Sequence, residues 1–326
     1  MPHATNMFYA TICVSWVCAI GAGSRAFAGE NLPDPAMIKP HKLLETSHYC
    51  EGVVFDHEGN GYASVTGGGT IVKFTLKGES RLWAKTGAPN GHKILADGTH
   101  LVCDASHHAV LHLSADGKML PNAADRCHGK ALRGPNDLTL DTPHGGFYFT
   151  DPFESGKDNP IGTLHYVDKN GAVSELDRGL AFPNGVVLRP DGKELLMAES
   201  QKNRILKYEV TGPGKLGQRR LFAQLPEKDS AKGQIDNQPD GMCLDADGRL
   251  YVAHYGMKQV QVLDRQGKLV AQYDGGNLTT SNVAFGGPNM DQLFVTGGLG
   301  AEAGPGGVFR LDVGVKGLVI LPSRNQ

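Results

Sequence analysis

One phrase recurs six times along the chain, and it restricts the fold to very few architectures. Each copy opens with a residue carrying a side-chain oxygen, runs into a short apolar strand, turns, and returns as a second strand. The openings are Glu51-Gly52-Val53, Asn90-Gly91-His92, Asn136-Asp137-Leu138, Asn184-Gly185-Val186, Asp240-Gly241-Met242 and Ser281-Asn282-Val283. They begin at 51, 90, 136, 184, 240 and 281, so the steps are 39, 46, 48, 56 and 41 residues, which is the spacing of propeller blades. Third strands read at 70–75, 109–114, 162–168, 204–210, 259–264 and 307–313, with weaker outer strands at 81–84, 173–176 and 219–224. Period-two alternation broken by Asp-Gly turns is a hairpin signal, and no sustained helical pattern follows residue 30. The chain therefore reads as all-β, a six-bladed β-propeller with four-stranded antiparallel blades, an arrangement that protects its own sheet edges. Two segments, 42–46 and 317–321, compete to complete the last blade.

The first residues follow a different rule. Residues 7–22 are largely apolar, and the sequence Ala26-Phe27-Ala28 stands just before Gly29. That pattern predicts a secretory signal peptide over 1–28 and a single catalytic propeller domain over 29–326. The apolar stretch is short for a bilayer span, so the expectation is a periplasmic or secreted protein with no membrane span after signal removal. With 32 basic against 34 acidic residues, the chain lacks the basic excess of a nucleic-acid binder. Cys50, Cys103, Cys127 and Cys243 form no C-x-x-C pair, which argues against a thiolate zinc site. Cys103 and Cys127 are the pair nearest in sequence, and either a disulfide or buried free thiols suits an exported protein.

A repeated phrase puts its first residue at an equivalent point of every blade. In a propeller the innermost strands border the central channel, so Glu51, Asn90, Asn136, Asn184, Asp240 and Ser281 face one another in a ring. Asn or Asp before Gly is an ordinary turn signal, but six oxygen-bearing residues in register point to a shared task. Carboxylate and amide oxygens without sulfur suit one hard divalent cation, calcium first, with magnesium, manganese or zinc as alternatives. Such a cation polarises carbonyls and acidifies water. A ring carboxylate accepts the proton that hydrolysis releases, and Asp240 is the candidate base.

At these residues the chain resembles the family of gluconolactonase, senescence marker protein and luciferin-regenerating enzyme. Gly134-Pro135-Asn136-Asp137-Leu138, Tyr148-Phe149-Thr150-Asp151-Pro152, Phe182-Pro183-Asn184-Gly185-Val186 and Ala198-Glu199-Ser200 carry the resemblance. It continues through Asn203-Arg204-Ile205, Pro239-Asp240-Gly241-Met242 and Tyr251-Val252-Ala253-His254-Tyr255-Gly256. The resemblance implies that Glu51, Asn184 and Asp240 hold the metal, that Asp240 is the general base, and that Asn136 serves substrate or water. It implies a small-molecule lactone of the aldonolactone kind as substrate. Arg133 stands one residue away from a sugar-binding arginine of the family, and His254 falls inside a matching stretch; both are substrate-binding candidates. Other metal-dependent esterase chemistry, on aryl esters or organophosphates, fits the same residues. So does a non-catalytic propeller with a structural calcium, although a scaffold has no need of two acids aimed into one channel.

Overall fold

The computed structural model describes Met1 and residues 32–228, 236–300 and 304–321; the leader expected over 1–28 lies, Met1 apart, outside the described residues. Six sheets stand around a central axis, each ordered from an inner to an outer strand. Blade 1 comprises Cys50–Phe55, Gly61–Val65, Thr70–Phe74 and Ser80–Lys85; blade 2 comprises Pro89–Ile94, His100–Asp104 and Ala109–Leu113. Blade 3 comprises Leu138–Asp141, Gly146–Asp151, Gly162–Val167 and Val173–Leu180; in blade 4 Pro183–Leu188, Glu194–Glu199, Arg204–Gly212 and Arg220–Gln224 follow one another. Blade 5 comprises Gln238–Leu244, Leu250–Tyr255, Gln259–Leu263 and Leu269–Asp274. Blade 6 takes Thr279–Gly286, Gln292–Gly298 and Gly306–Leu311, and its outer strand is the first of the fold, His41–Thr46.

The choice left open between 42–46 and 317–321 is thus settled for the former, which joins the two ends of the ring in one sheet. The tail has another place. Gly317 N–H donates to Met290 O at 2.6 Å and Leu318 N–H to Leu244 O at 3.0 Å. Leu318 and Ile320 meet Val53, Val187, Met242 and Val283 at the end of the channel away from the ring of oxygen-bearing residues. Blade 2 departs from the four-stranded expectation. Its fourth position is only bridged, Val110 with Ala124 and Leu113 with Met119, because Pro121 has no N–H to continue a ladder.

Each blade buries both faces, so its strands read as apolar runs rather than strict alternation. In blade 4 Leu195 and Met197 pack toward blade 3, whereas Leu196 and Ala198 pack toward blade 5. Six such clusters, one per junction, form the core. The four cysteines among the described residues are all buried, unbridged thiols, Cys103 and Cys127 included.

Inner strands converge on the axis, and hydrogen bonds staple each blade to the next. The Oγ1 of Thr66 donates to Pro89 O at 2.7 Å, that of Thr150 to Asn184 O at 2.9 Å, and Ser200 Oγ to Pro239 O at 2.6 Å. Ser281 Oγ closes the circle on Cys50 O at 2.7 Å. At this distance there is no room for side chains on the facing backbone. A Cβ at Gly52 would lie 2.3 Å from Asn90 O, and one at Gly185 2.3 Å from Asp240 O. We therefore expect Gly185→Ala to lower stability by about 1–3 kcal/mol through overpacking. Gly212→Ala, whose new Cβ would meet only the Lys215 side chain at 3.7 Å, should change it by less than about 1 kcal/mol. Urea midpoints of the two variants check this, and equal shifts would refute the close-approach account.

Candidate functional site

The dipeptide that opens each repeat is a β-bulge. In blade 1 Cys50 pairs with Val65 and Val53 with Ala63, so three steps along the inner strand oppose two along its neighbour. The same single extra residue falls at Asn90-Gly91, Asn184-Gly185 and Asp240-Gly241, and at Ser281 in blade 6. A bulge kinks its strand and re-aims a side chain. Here the re-aimed residue is the first of the pair, and the following glycine gives the neighbouring backbone its space. Pro89, Pro135, Pro183 and Pro239 precede four of the ring residues and fix the backbone entering the bulge.

Glu51, Asn184 and Asp240 are all buried, at 6 %, 5 % and 7 % exposure, so the ring is a confined polar site. Asn184 hydrogen-bonds Asp240 through its side chain, and Gly241 N–H donates to the same carboxylate. Burial first, then the charges of Glu51 and Asp137, push the Asp240 carboxyl well above its ordinary range, against those two hydrogen bonds. Asn136 joins the ring, and its Oδ1 is buried with no hydrogen-bond partner. Ser281 does not offer a free hydroxyl, because its Oγ is spent on Cys50 O.

Two residues of the site, Tyr49 and Lys93, escape the repeat. Tyr49 hydrogen-bonds Ser281, and its hydroxyl is held protonated, its pKa raised by burial first and then by Glu51 and Asp240. Below the ring, Lys93 Nζ lies 4.0 Å from Asp137 Oδ1. Burial raises the Asp137 carboxyl, and Lys93 with the N–H groups of Leu138 and Val186 opposes that shift. Nothing in the recurrent phrase marks Tyr49 or Lys93, since each stands outside the two positions that repeat.

A second set of acids holds the loops that lead into the ring. Asp104 ends the second strand of blade 2 and accepts from Gly87 N–H at 2.9 Å and Ala88 N–H at 3.0 Å. Asp151 does the same in blade 3 for Arg133 N–H at 2.9 Å and Gly134 N–H at 2.6 Å. Glu199 repeats it in blade 4 with Ala181 N–H at 2.9 Å, while Arg204 Nε donates to its other oxygen at 2.6 Å. Burial alone would raise Asp104, but Ala88, Gly87 and His107 together hold it below its usual range; at Asp151 burial prevails and the carboxyl is raised. The three clamps stand behind Asn90, Asn136 and Asn184. The blades that present Asp240, Ser281 and Glu51 end the corresponding strand in Tyr255, Gly298 and Val65. No ring position that carries a carboxylate thus has a second one behind it at the end of the neighbouring strand. This signal was readable as an acid closing three of six second strands.

Two expected substrate residues stand elsewhere. Arg133 is exposed on the approach loop, three residues before Asn136, and its carbonyl accepts from His108 Nδ1 at 2.6 Å. His254 is fully buried between blades 4 and 5 rather than brought to the ring. Gln261 Nε2 donates to its Nδ1 at 3.0 Å, and its Nε2–H donates to Asn203 Oδ1 at 2.9 Å. With both nitrogens engaged and burial pushing its pKa down to about 3, ahead of the effect of Lys228, it is a neutral structural imidazole.

The ring suits a hard divalent cation on its own chemistry. It offers two crowded carboxylates and amide oxygens, one of them orphaned, and no sulfur. Among the described residues no group of three or more His, Cys, Asp or Glu converges as a metal site, so amides would have to supply part of the coordination.

Comparison with known proteins agrees with this geometry. Residues 79–298 match the SMP-30/Gluconolactonase/LRE-like region. Lactonase drp35 of Staphylococcus saprophyticus is 30 % identical over 258 residues, covering 75 % of this chain and 77 % of the relative. Diisopropyl-fluorophosphatase of Loligo vulgaris is 25 % identical over 252 residues, covering 69 % and 78 %. A solved luciferin-regenerating enzyme shares the fold with a TM-score of 0.74 at 21 % identity, over 88 % of this chain and 100 % of that one. The chain belongs to the SMP-30/gluconolactonase/LRE-like family, and it is a hydrolase, as the two relatives aligned by sequence are.

Proposed function

We propose that this protein is a metal-dependent lactonase that opens a small lactone, of the aldonolactone kind, to its hydroxy acid. The observation that carries the reading is the buried ring itself, where Glu51, Asn184 and Asp240 converge beside the orphaned Asn136 Oδ1. A divalent cation, calcium first, held by Glu51, Asn184 and Asp240, would supply Lewis acidity toward an ester carbonyl and toward water.

The chain's own groups divide the remaining work. Asp240 accepts the proton as water adds to the carbonyl carbon, and that proton passes to the ring oxygen when the C–O bond breaks. The Tyr49 hydroxyl, kept protonated among acids, donates a hydrogen bond to the substrate. Asn136 orients the lactone. The clamps Asp104, Asp151 and Glu199 hold the three amides in place, so each acts as a positioning residue. Export to the periplasm or medium, directed by residues 1–28, would place the enzyme where sugars are oxidised outside the cytoplasm. The aligned fluorophosphatase favours activated phosphoesters as the second substrate class.

Acid release from δ-gluconolactone, followed in weak buffer, tests the reading. EDTA should abolish it and calcium restore it, and Asp240→Asn should lower kcat at least about a hundredfold. A folded wild type that with metal matches the buffer blank on a panel of lactones would refute it, and turnover confined to organophosphates would favour the second class. The clamps make a separate forecast. Asp151→Asn keeps one acceptor for the two N–H groups of its loop, so KM should rise about three- to tenfold with little loss of melting temperature. An unchanged KM would deprive Asp151 of its positioning role.

A further inference from the structure

We infer that a cavity on the outer shoulder of blade 3 is a second ligand site, built for a small hydroxylated carboxylate. The cavity measures about 460 Å³, within the range of small-molecule pockets and far larger than an inorganic anion needs. It lies between the outer strands of blade 3 and the hairpin made by Arg126–Cys127 and Lys130–Ala131.

Charge selects the ligand. Lys130, Arg133 and Arg178 line the cavity against two acids. Both acids are engaged: Glu175 takes the Arg178 Nε–H at 2.6 Å, and Asp151 accepts from the N–H groups of Arg133 and Gly134. Lys130 and Arg133 form no ion pair among the described residues. Three cations against two acids leave the cavity with a positive balance, Arg133 facing Asp151 and Lys130 held in no ion pair, and that balance favours an anion.

His165 adds a feature that a bare basic patch lacks. Its ring is 3 % exposed, lines the cavity, and stacks on Phe149 with centroids 4.8 Å apart. Nε2 is paired with Thr163 Oγ1 at 2.7 Å, while Nδ1 is buried without a partner. An orphaned imidazole nitrogen costs stability unless something bonds to it, and a ligand hydroxyl would do so. Burial, with His128 close by, pushes this histidine down to about 4, so it meets the hydroxyl as a neutral ring.

The choice of a hydroxy acid as ligand rests on the lactonase reading. Lactone opening releases a hydroxylated carboxylate at the ring, and that product must leave the channel before the next turnover. The basic cavity, reached along the loop from Arg133 to Asn136, offers it a favourable place. Hydroxylated carboxylates from other sources would bind equally well.

Calorimetric titration of the full chain in calcium tests the site without reading turnover, so its failure is distinct from failure of the lactonase assay. The probes are D-gluconate, sorbitol as a neutral polyol of the same length, and inorganic phosphate. Gluconate should bind with one-to-one stoichiometry and sorbitol should not. The exposed double variant Lys130→Ala/Arg133→Ala should weaken gluconate at least tenfold, His165→Phe should weaken it, and Asp240→Asn should leave it unchanged. No heat with gluconate, equal binding of phosphate or sorbitol, or loss in Asp240→Asn with retention in the double variant would each overturn the proposal.

Discussion

The structure depends on how closely six inner strands can approach one axis. Where they meet, backbone carbonyls of one blade stand within 2.3 Å of the position a Cβ would take in its neighbour, as Asp240 O does at Gly185. Only glycine tolerates that approach, and a bulge is what places the glycine there while turning the preceding side chain inward. Packing and chemistry are therefore the same constraint. The geometry that closes the ring also creates a circle of inward residues, and their types decide what the circle can hold. Blades 3 and 6 vary the scheme. Asp137 and Asn282 occupy the glycine position, and Gly91 and Gly241 on the preceding blades make room for them.

Charge is distributed around this circle with economy. Three adjacent blades present amides and keep their acids one layer back, as clamps on backbone N–H groups. The other three present Glu51, Asp240 and Ser281, with no acid behind. Like charges buried within a few ångströms raise one another's pKa and destabilise the fold. The arrangement leaves Glu51 and Asp240 as the crowded pair, with Asp137 below balanced by Lys93. A single divalent cation is the charge that this uneven circle lacks.

Much of this was legible in the residues, for a physical reason. The channel takes an oxygen-bearing residue at the same point in each blade, and in four of the six the close approach puts a glycine after it, so function and fold leave one shared periodic mark. What the sequence hid follows from the same logic. Segments 42–46 and 317–321 both alternate, and only the pairing partner Gly306–Leu311 decides which closes the ring. Tyr49 and Lys93 reach the site from positions that do not repeat. His254 lies in a matching stretch because Asn203 and Gln261 need its two nitrogens, a structural demand that leaves the same trace as a ligand contact. Arg133 carries its backbone to the clamp Asp151 and its side chain to the surface.

Calcium titration of the metal-stripped protein, followed by calorimetry, tests the central claim most directly, since it reads the ring before any substrate is chosen. The account predicts one calcium per chain, with affinity lost in Glu51→Gln while Asp56→Asn, a hydrogen-bonded turn acid at the other end of the same inner strand, binds as wild type does. Calcium binding that survives Glu51→Gln unchanged, or that never occurs, would contradict the reading of the ring as a cation site.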